Sequence, residues 1–246
     1  MGQNNAARRL YDAFQYAFVN GNSAELAYKV LANAFKVENP ELNPHFLIEI
    51  YVLLSEVEKK LKLLKKVDNV ELYVKAIREI QFYIQTSNPL LSQWDGIKNQ
   101  IQNRNFIFIL DACANFIAQE QPEPELTEEQ LQEYLEQCES LLQEVVSSDL
   151  AEDIKTFLVV RLEEICSAIR HYKIGGPERL RTVVEANIGA IILRSDAYTP
   201  EQKKGIISKI FGLLMTFGGV LDLAANTQGY LLPKAAELLK YLLPPG

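Results

Sequence analysis

Apolar residues recur at spacings of three and four along most of the chain and almost nowhere alternate with polar ones. In the stretch Ala6–Asn20, for example, Leu10, Phe14, Ala17 and Phe18 fall on one stripe. This period is that of amphipathic helices, whereas strict alternation would indicate β-strands. The pattern therefore predicts an all-α fold, a multi-helix bundle of about ten antiparallel helices joined by short connections.

Residues that cap and break helices divide this pattern. Thr127–Gln130 has the sequence TEEQ and Thr199–Gln202 the sequence TPEQ, each with the spacing of a capping box. Gly175–Pro177 should end one helix and begin the next. Ser23 is expected to cap a helix that continues to about Val37. Together these signals predict breaks near residues 20–23, 38–43, 121–126, 173–177, 194–199 and 227–232.

The same spacing selects the side chains of the core. Leu158, Leu162, Ile165 and Ile169 follow one face of a helix predicted over residues 149–172. We expect these four to be largely buried and Trp94 to be at least partly buried. The aromatic and aliphatic residues expected to join them are Phe106, Phe108, Ile109, Phe116 and Phe157.

Proline and glutamate dominate Gln121–Glu125, whose sequence QPEPE makes it the best linker candidate in the chain. It predicts an N-terminal helical region over residues 1–120 and an acidic C-terminal helical region over residues 127–246. The second region is expected to end in an apolar hairpin over residues 205–243. The two regions are able to pack as one domain.

Gly205–Asn226 is the least ordinary helical segment, because it keeps four glycines and only two charged residues. A glycine inside a helix costs about 1 kcal/mol relative to alanine, so close packing or rearrangement is expected there. Its uncharged run, Ile210–Leu221, is shorter than the roughly 20 residues of a membrane span. We favour the interpretation that this segment is a core helix. The alternative is that it contacts a membrane or a protein partner. The candidate residues are Gly205, Ile206, Ile210, Gly212, Leu213, Leu214, Phe217, Gly218, Gly219 and Leu221.

Charge is unevenly distributed along the chain, whose net charge is −7. Residues 121–246 hold 19 acidic and 12 basic side chains, and no Lys or Arg lies between Arg104 and Lys155. Such a surface repels a phosphate backbone, so we predict no nucleic-acid partner. We interpret the acidic stretch as a solvated helix face, with a docking surface for a basic partner as the alternative. Its candidate residues are Glu128, Glu129, Glu133, Glu136, Glu139 and Glu144.

The three cysteines, Cys113, Cys138 and Cys166, are too few and too widely spaced for a disulfide framework. They favour a reducing compartment, hence a cytoplasmic location, and are interpreted as buried small hydrophobic residues. Arg170 follows Cys166 by one turn and could lower its thiol pKa, although a structural cysteine is favoured. The polar residues Met1–Ala7 do not resemble a secretory signal.

Residues able to support catalysis do not form a known motif. Glu163 and Glu164 precede His171 by about two helical turns, which is not the HExxH spacing of a zinc site. The glycines follow neither the dinucleotide-binding order nor that of a phosphate-binding loop. We therefore predict that the protein is not an enzyme and binds no cofactor and no metal.

Four segments in the middle of the chain share a pattern of packing positions: NVELYVKAIREIQFYI, Asn88–Trp94, FIFILDACANFI and FLVVRLEEICSAIRHYKIGGPERLRTVVEANIGAI. In the last segment the positions are Leu158, Leu162, Glu163, Ile165, Ala168, Ile169, Tyr172, Ile174, Gly176 and Leu180. Over about residues 68–193 the pattern resembles a group of uncharacterised bacterial all-helical proteins. The resemblance implies a bacterial cytosolic helical protein of the accessory or anti-phage defence repertoire, and it carries over no functional residue.

Three classes of function remain. The leading expectation is a non-enzymatic helical interaction protein, in bacterial defence or stress response, that binds a protein partner or associates with itself. The first alternative is a membrane-perturbing defence effector that acts through residues 205–243 and reaches the membrane on activation. The second alternative is an enzyme of unrecognised type.

Overall fold

The computed structural model describes residues 4–37, 39–42, 44–123 and 125–224. Within these residues every regular element is helical, and the β-type pairing is an isolated bridge between Leu26 and Gln93. The all-α prediction is therefore confirmed. The predicted break near residues 227–232 and the second half of the predicted 205–243 hairpin lie outside the described residues. The helices are α1 (Ala6–Asn20), α2 (Ala27–Ala34), α3 (Phe46–Lys62), α4 (Val70–Thr86), α5 (Trp94–Asn103), α6 (Phe106–Glu120), α7 (Glu128–Ser147), α8 (Glu152–Arg170), α9 (Tyr172–Leu193), the short α10 (Pro200–Gln202) and α11 (Ser208–Ala224).

The chain divides into two compact units, and each of them is built from two stretches of sequence. Unit 1 comprises Met1–Glu123 and Lys173–Gly176, and unit 2 comprises Pro124–Tyr172 and Pro177–Gly246. The chain therefore first crosses from unit 1 to unit 2 after Glu123, inside the segment whose composition suggests a linker. The return of four residues to unit 1 has no counterpart in the sequence prediction.

Unit 1 is organised around α1, which packs against α2, α3 and α6. The side chain of Asn5 caps this helix by accepting a hydrogen bond from the amide of Arg8, and its own amide donates to the carbonyl oxygen of Ala114 at 2.8 Å. Trp94 is fully buried, and the centroid of its ring lies 5.7 Å from the ring centroid of Phe18. The core of unit 1 also includes Ile174, from the returning segment.

A buried group of charged side chains holds unit 1 together. The carboxylate of Glu123 accepts hydrogen bonds from Arg9 and Lys60, both at 2.7 Å, and from the backbone amide of Ala6 at 3.2 Å. The side chains of Arg9 and Glu123 are only 4% and 5% exposed. Arg9 also donates through Nε to the carbonyl oxygen of Ile174. We call Arg9, Lys60 and Glu123 the charged cluster. Because it fixes Glu123, the end of unit 1 here is not a solvated linker.

Gly176 is the residue at which the returning segment leaves unit 1. Its backbone, at φ 62° and ψ −166°, interrupts the helical geometry of α9. A Cβ atom at this position would lie 2.3 Å from Cζ of Arg9, so the Arg9 guanidinium occupies the space that a side chain would need. The glycine is therefore required both by the backbone conformation and by the charged cluster.

Unit 2 begins with α7, whose N-terminus is the predicted capping box. The hydroxyl of Thr127 accepts from the amide of Gln130, and the Gln130 side chain accepts from the amide of Thr127. The second predicted box, between Thr199 and Gln202, is also present. α7 packs against α8 and α11. The buried side chains of α8, α9 and α11 complete one core that includes Leu162, Leu180, Ile191, Phe211, Phe217 and Leu221.

Several details differ from the sequence predictions. Phe108 is 75% exposed because it lies on the side of α6 opposite the buried Phe106 and Leu110, so its predicted burial is wrong. Ser23 does not cap a helix, since α2 begins only at Ala27, where the N-cap position is Leu26 and the amide of Ala27 donates to the carbonyl oxygen of Ser92. The predicted core residues that prove only half-buried are Ile109, Phe116 and Phe157.

Leu162 provides a direct test of the core of unit 2, because it is fully buried at the centre of α8. Leu162→Ala should lower the free energy of unfolding by about 2–5 kcal/mol through lost burial and the cavity left behind. Leu193→Ala is the matched control in the same unit, since Leu193 is exposed and should change stability by less than about 0.5 kcal/mol. Urea unfolding followed by circular dichroism measures both. Equal effects of the two substitutions would contradict the assigned core.

Candidate interaction groove

α7 presents one continuous acidic face to solvent. At 3.6 residues per turn its glutamates fall within an arc of about 160°, on the side away from the buried Tyr134, Cys138 and Val145. The helix contains no lysine or arginine. The exposed acidic residues are the six candidates from the sequence, Glu128, Glu129, Glu133, Glu136, Glu139 and Glu144. The structure therefore gathers all of them on one surface.

The carboxylates of this face differ in their partners. Glu139 pairs with Arg170 at 2.7 Å, and Glu144 pairs with Lys209 at 2.6 Å. Glu133 and Glu136 accept hydrogen bonds only from neutral glutamine side chains of α7, among the residues that the structure describes. The negative charge of Glu133 and Glu136 is therefore available to a cation from outside the chain.

The N-terminal end of the acidic face is stabilised in its charged form. Hydrogen bonds from its own backbone amide and from the hydroxyl of Thr127 hold the pKa of Glu129 below its usual value. Since an anion at a helix N-terminus also interacts favourably with the helix dipole, this end of α7 stays negative at neutral pH.

An open groove lies between the acidic face and α11. It encloses about 570 Å³. A Cβ atom at Gly212 would meet no other atom within 4 Å, so the groove is open above this glycine. Leu141 and Leu213 contribute apolar surface, and Lys209, held by Glu144, is the cation among the lining residues. The lining residues are Glu133, Glu136, Gln137, Ser140, Leu141, Lys209, Gly212, Leu213 and Thr216. We call this site the α7–α11 groove.

The apolar candidates of the glycine-rich segment are in the core. The ring of Phe217 contacts that of Tyr134 edge-on, with centroids 4.6 Å apart, and so attaches α11 to α7. Gly205 lies in a π-helical turn, Lys203–Ile207, that precedes α11. Gly218 is buried, and Gly205 and Gly219 are half-buried. The buried apolar candidates are Ile206, Ile210, Leu213, Leu214, Phe217 and Leu221, as expected of a core helix.

Two further grooves lie between α8 and α9, with volumes of about 660 and 720 Å³. Their walls mix both signs of charge, with Arg161 and Arg194 beside Asp153 and Asp196 in the larger one. The two arginines lie over the ring of Phe157, at 5.7 and 4.3 Å from its centroid. In the smaller groove Glu164 and Glu163 lie near Arg161 and Arg170, whereas Glu133 and Glu136 of the α7–α11 groove accept hydrogen bonds from glutamine side chains.

The two glutamates next to each other on α8, Glu163 and Glu164, lie near arginine side chains. Glu164 forms an ion pair with Arg161 at 2.9 Å and approaches the side-chain amide of Asn187. Glu163 lies 3.9 Å from Arg170. In the described part of the chain no three His, Cys, Asp or Glu side chains come together as metal ligands. No helix in that part has both the length and the apolar character that a membrane crossing requires.

Comparison with protein families, with curated proteins and with solved structures gave no match. The function is therefore inferred from the geometry of the chain itself. The sequence predicted the acidic face, because a 100° turn per residue can be applied directly to α7. It did not predict the groove, because the second wall comes from α11, some seventy residues further along the chain. The sequence identifies Gly212 as a glycine within a helix, but only the fold shows that the space above it is open.

Proposed function

We propose that the protein is a non-enzymatic interaction protein whose α7–α11 groove binds a basic amphipathic helix of a protein partner. The observation that carries the proposal is the juxtaposition of two uncompensated carboxylates, Glu133 and Glu136, with an open apolar floor at Gly212. Membership of a bacterial defence or stress pathway is the expectation that the sequence resemblance adds to this proposal.

Charge supports a basic occupant. Unit 2 contains most of the excess negative charge, and α7 contributes six carboxylates without a basic residue. A surface of one sign attracts an oppositely charged partner over the Debye length and suppresses partners of like charge. Lysine or arginine side chains on one flank of the partner helix would face Glu133 and Glu136.

Shape supports a helical occupant. A groove between two helices accepts a third helix through apolar side chains spaced by three and four residues. The exposed position of Gly212 allows a side chain of the partner to approach the backbone of α11, with Leu141 and Leu213 on either side. The polar Ser140 and Thr216 complete the lining, and the hydroxyl of Thr216 donates to the carbonyl oxygen of Gly212 at 2.9 Å.

The test uses the full-length chain and a labelled Lys/Leu amphipathic helical peptide, followed by fluorescence anisotropy. We expect saturable binding that weakens as salt is raised. A Glu/Leu peptide with the same apolar pattern should not bind. Gly212→Leu should fill the groove and weaken binding at least about tenfold, while leaving the fold intact because the added side chain enters open space.

Matched variants separate groove binding from general attraction to an acidic protein. Gly96→Leu places the same side chain at an exposed, equally open helix position of unit 1 and should leave binding unchanged. The pair Glu133→Gln and Glu136→Gln should weaken binding, whereas Glu125→Gln with Glu185→Gln removes the same charge outside the groove and should not. Unchanged binding by Gly212→Leu would refute the proposal.

A further inference from the structure

Two of the three cysteines meet inside unit 2. Cys138 on α7 and Cys166 on α8 are both fully buried. The thiol of Cys138 lies 3.4 Å from the carbonyl oxygen of Leu162, which is one turn before Cys166 on α8. Both cysteines belong to the same hydrophobic core, in which α7 packs against α8. They therefore form a thiol pair across the interface of α7 and α8.

An exposed group of ion pairs surrounds this thiol pair. Glu139 follows Cys138 on α7, and Arg170 lies one turn after Cys166 on α8. Arg170 pairs with Glu139 at 2.7 Å and lies 3.9 Å from Glu163, and all three charged side chains are about half exposed. Surface ion pairs of this kind open readily, because solvent screens them and their side chains are mobile. The residues next to the thiol pair in sequence and on the following turn are therefore in contact with solvent.

The local environment distinguishes the two sulfurs. The neighbouring thiol of Cys138 lowers the pKa of Cys166, and the positive charge of Arg170 adds to this effect, while burial and the carboxylates of Glu163 and Glu139 oppose it. The neighbouring thiol of Cys166, together with burial, raises the pKa of Cys138. Cys166 is therefore the better nucleophile of the pair, since the thiolate is the reactive form.

We propose that Cys166 and Cys138 are a peroxide-sensitive modification site at which hydrogen peroxide forms a disulfide between α7 and α8. The thiolate sulfur of Cys166 attacks one peroxide oxygen and breaks the O–O bond. The product is a sulfenic acid on Cys166, and the departing hydroxide takes up the proton that the thiol had released, giving water. The sulfur of Cys138 then attacks the Cys166 sulfur and displaces hydroxide, which takes the Cys138 proton and forms a second water.

This reaction is a two-electron oxidation in which two thiols and one peroxide give one disulfide and two waters. It requires the sulfurs to approach to about 2.05 Å, the length of a disulfide bond. Since the thiol of Cys138 already reaches the backbone of α8 one turn before Cys166, rotation about the two χ1 angles is the movement that would bring the sulfurs together. The disulfide would fix α7, which forms one wall of the α7–α11 groove, to α8.

Cys113 is the internal control for this site. It is equally buried, but it belongs to unit 1, and burial raises the pKa of its thiol to about 12. It has therefore neither a partner thiol in its own unit nor the positive neighbour that activates Cys166. In the folded protein it should remain a thiol while the pair is oxidised.

The experiment treats the folded full-length chain with hydrogen peroxide, alkylates it after denaturation, and maps its peptides by mass spectrometry. We expect a peptide pair joined through Cys138 and Cys166, with a mass lower by two hydrogens, that dithiothreitol separates. Cys113 should be recovered in alkylated form. The thermal unfolding temperature of unit 2, followed by circular dichroism, should rise in the oxidised protein because the cross-link restricts its unfolded chain.

Three variants test the assigned roles. Cys138→Ser should leave Cys166 as a sulfenic acid that dimedone traps, whereas Cys166→Ser should leave Cys138 unoxidised. Arg170→Gln changes only an exposed side chain and should slow oxidation by about threefold for each unit by which it raises the pKa of Cys166. Glu178→Gln on α9 is the surface control and should not change the rate.

Two results would overturn the proposal. One is oxidation of Cys113 as fast as that of the pair, which would mean that peroxide reaches the cysteines through general unfolding. The other is the absence of the cross-linked peptide from folded protein whose circular dichroism is unchanged. An oxidation rate of Arg170→Gln equal to that of the unmodified chain would overturn the assignment of Cys166 as the activated sulfur.

Discussion

Gly176→Ala is expected to destabilise unit 1 by roughly 3–5 kcal/mol. Part of this cost is backbone strain, because a positive φ with ψ near 180° is a region that essentially only glycine occupies. The rest arises because the added Cβ would overlap the guanidinium of Arg9, which must then leave its hydrogen bonds to Ile174 and Glu123. Urea unfolding followed by the fluorescence of Trp94 measures the effect, since it is the one tryptophan in the chain.

Gly96→Ala is the matched control for this prediction. It lies in the same unit, in a helix where a Cβ would meet no other atom within 4 Å. It should therefore be neutral or stabilise the unit by about 0.4–1 kcal/mol. Combining Gly176→Ala with Arg9→Leu separates steric overlap from backbone strain, because only the overlap depends on Arg9. A cost below about 1 kcal/mol for Gly176→Ala would contradict both contributions.

Glu123→Gln should lower the stability of unit 1 by about 3–5 kcal/mol, although the two side chains have nearly the same shape. The substitution removes the carboxylate nearest to Arg9 and Lys60 and turns an amide group towards these two cations in a largely buried site. The more distant carboxylate of Glu56, 3.8 Å from Arg9 and 3.6 Å from Lys60, compensates them only in part. Glu120→Gln, three residues earlier, is the control. Its exposed carboxylate accepts hydrogen bonds from the backbone amides of Lys65 and Lys66, so the unfolding midpoint should move far less.

The effect of Glu123→Gln should also depend on pH. Burial raises the pKa of Glu123, but the charges and hydrogen bonds of Arg9 and Lys60 outweigh it, so the pKa lies below its ordinary value of 4.5. A lowered pKa in the folded state means that the carboxylate stabilises the fold fully above pH 4.5 and loses this contribution as the pH falls through the folded value. The difference between the two proteins should therefore shrink in acid. A difference that is constant from neutral pH into the acid range would show that Glu123 does not titrate in this way.

The fold class and several helix boundaries followed from the sequence because they depend on local chemistry. The capping boxes at Thr127 and Thr199 need only residues three positions apart, and both formed. The start of α2 could not be predicted in this way, because the amide of its first residue, Ala27, bonds to Ser92, far along the chain. The prediction for Phe108 is wrong for another reason: the first five residues of α6, Phe106–Leu110, are all apolar, so this run alone does not show which of its side chains faces solvent.

The candidate sites also divide into those that depend on local sequence and those that depend on distant contacts. The acidic face of α7 needs one helix and was predicted from its six glutamates. The groove, the thiol pair and the charged cluster each join residues from distant segments, such as Cys138 with Cys166 or Arg9 with Glu123. No local pattern identifies such pairs in a single sequence, although the position of Cys166 one turn before Arg170 did indicate an unusual thiol environment.

The return of Lys173–Gly176 to unit 1 also determines the order in which the protein can be completed during synthesis. Unit 1 lacks Ile174 in its core, and Arg9 lacks its carbonyl acceptor, until residue 176 has left the ribosome. By then α7 and α8 have already been made. At about 5–20 residues per second, translation of the intervening segment takes roughly 3–10 s. During that interval the nascent chain carries an unfinished unit 1, so α7 and α8 are synthesised before the N-terminal half of the molecule can be completed.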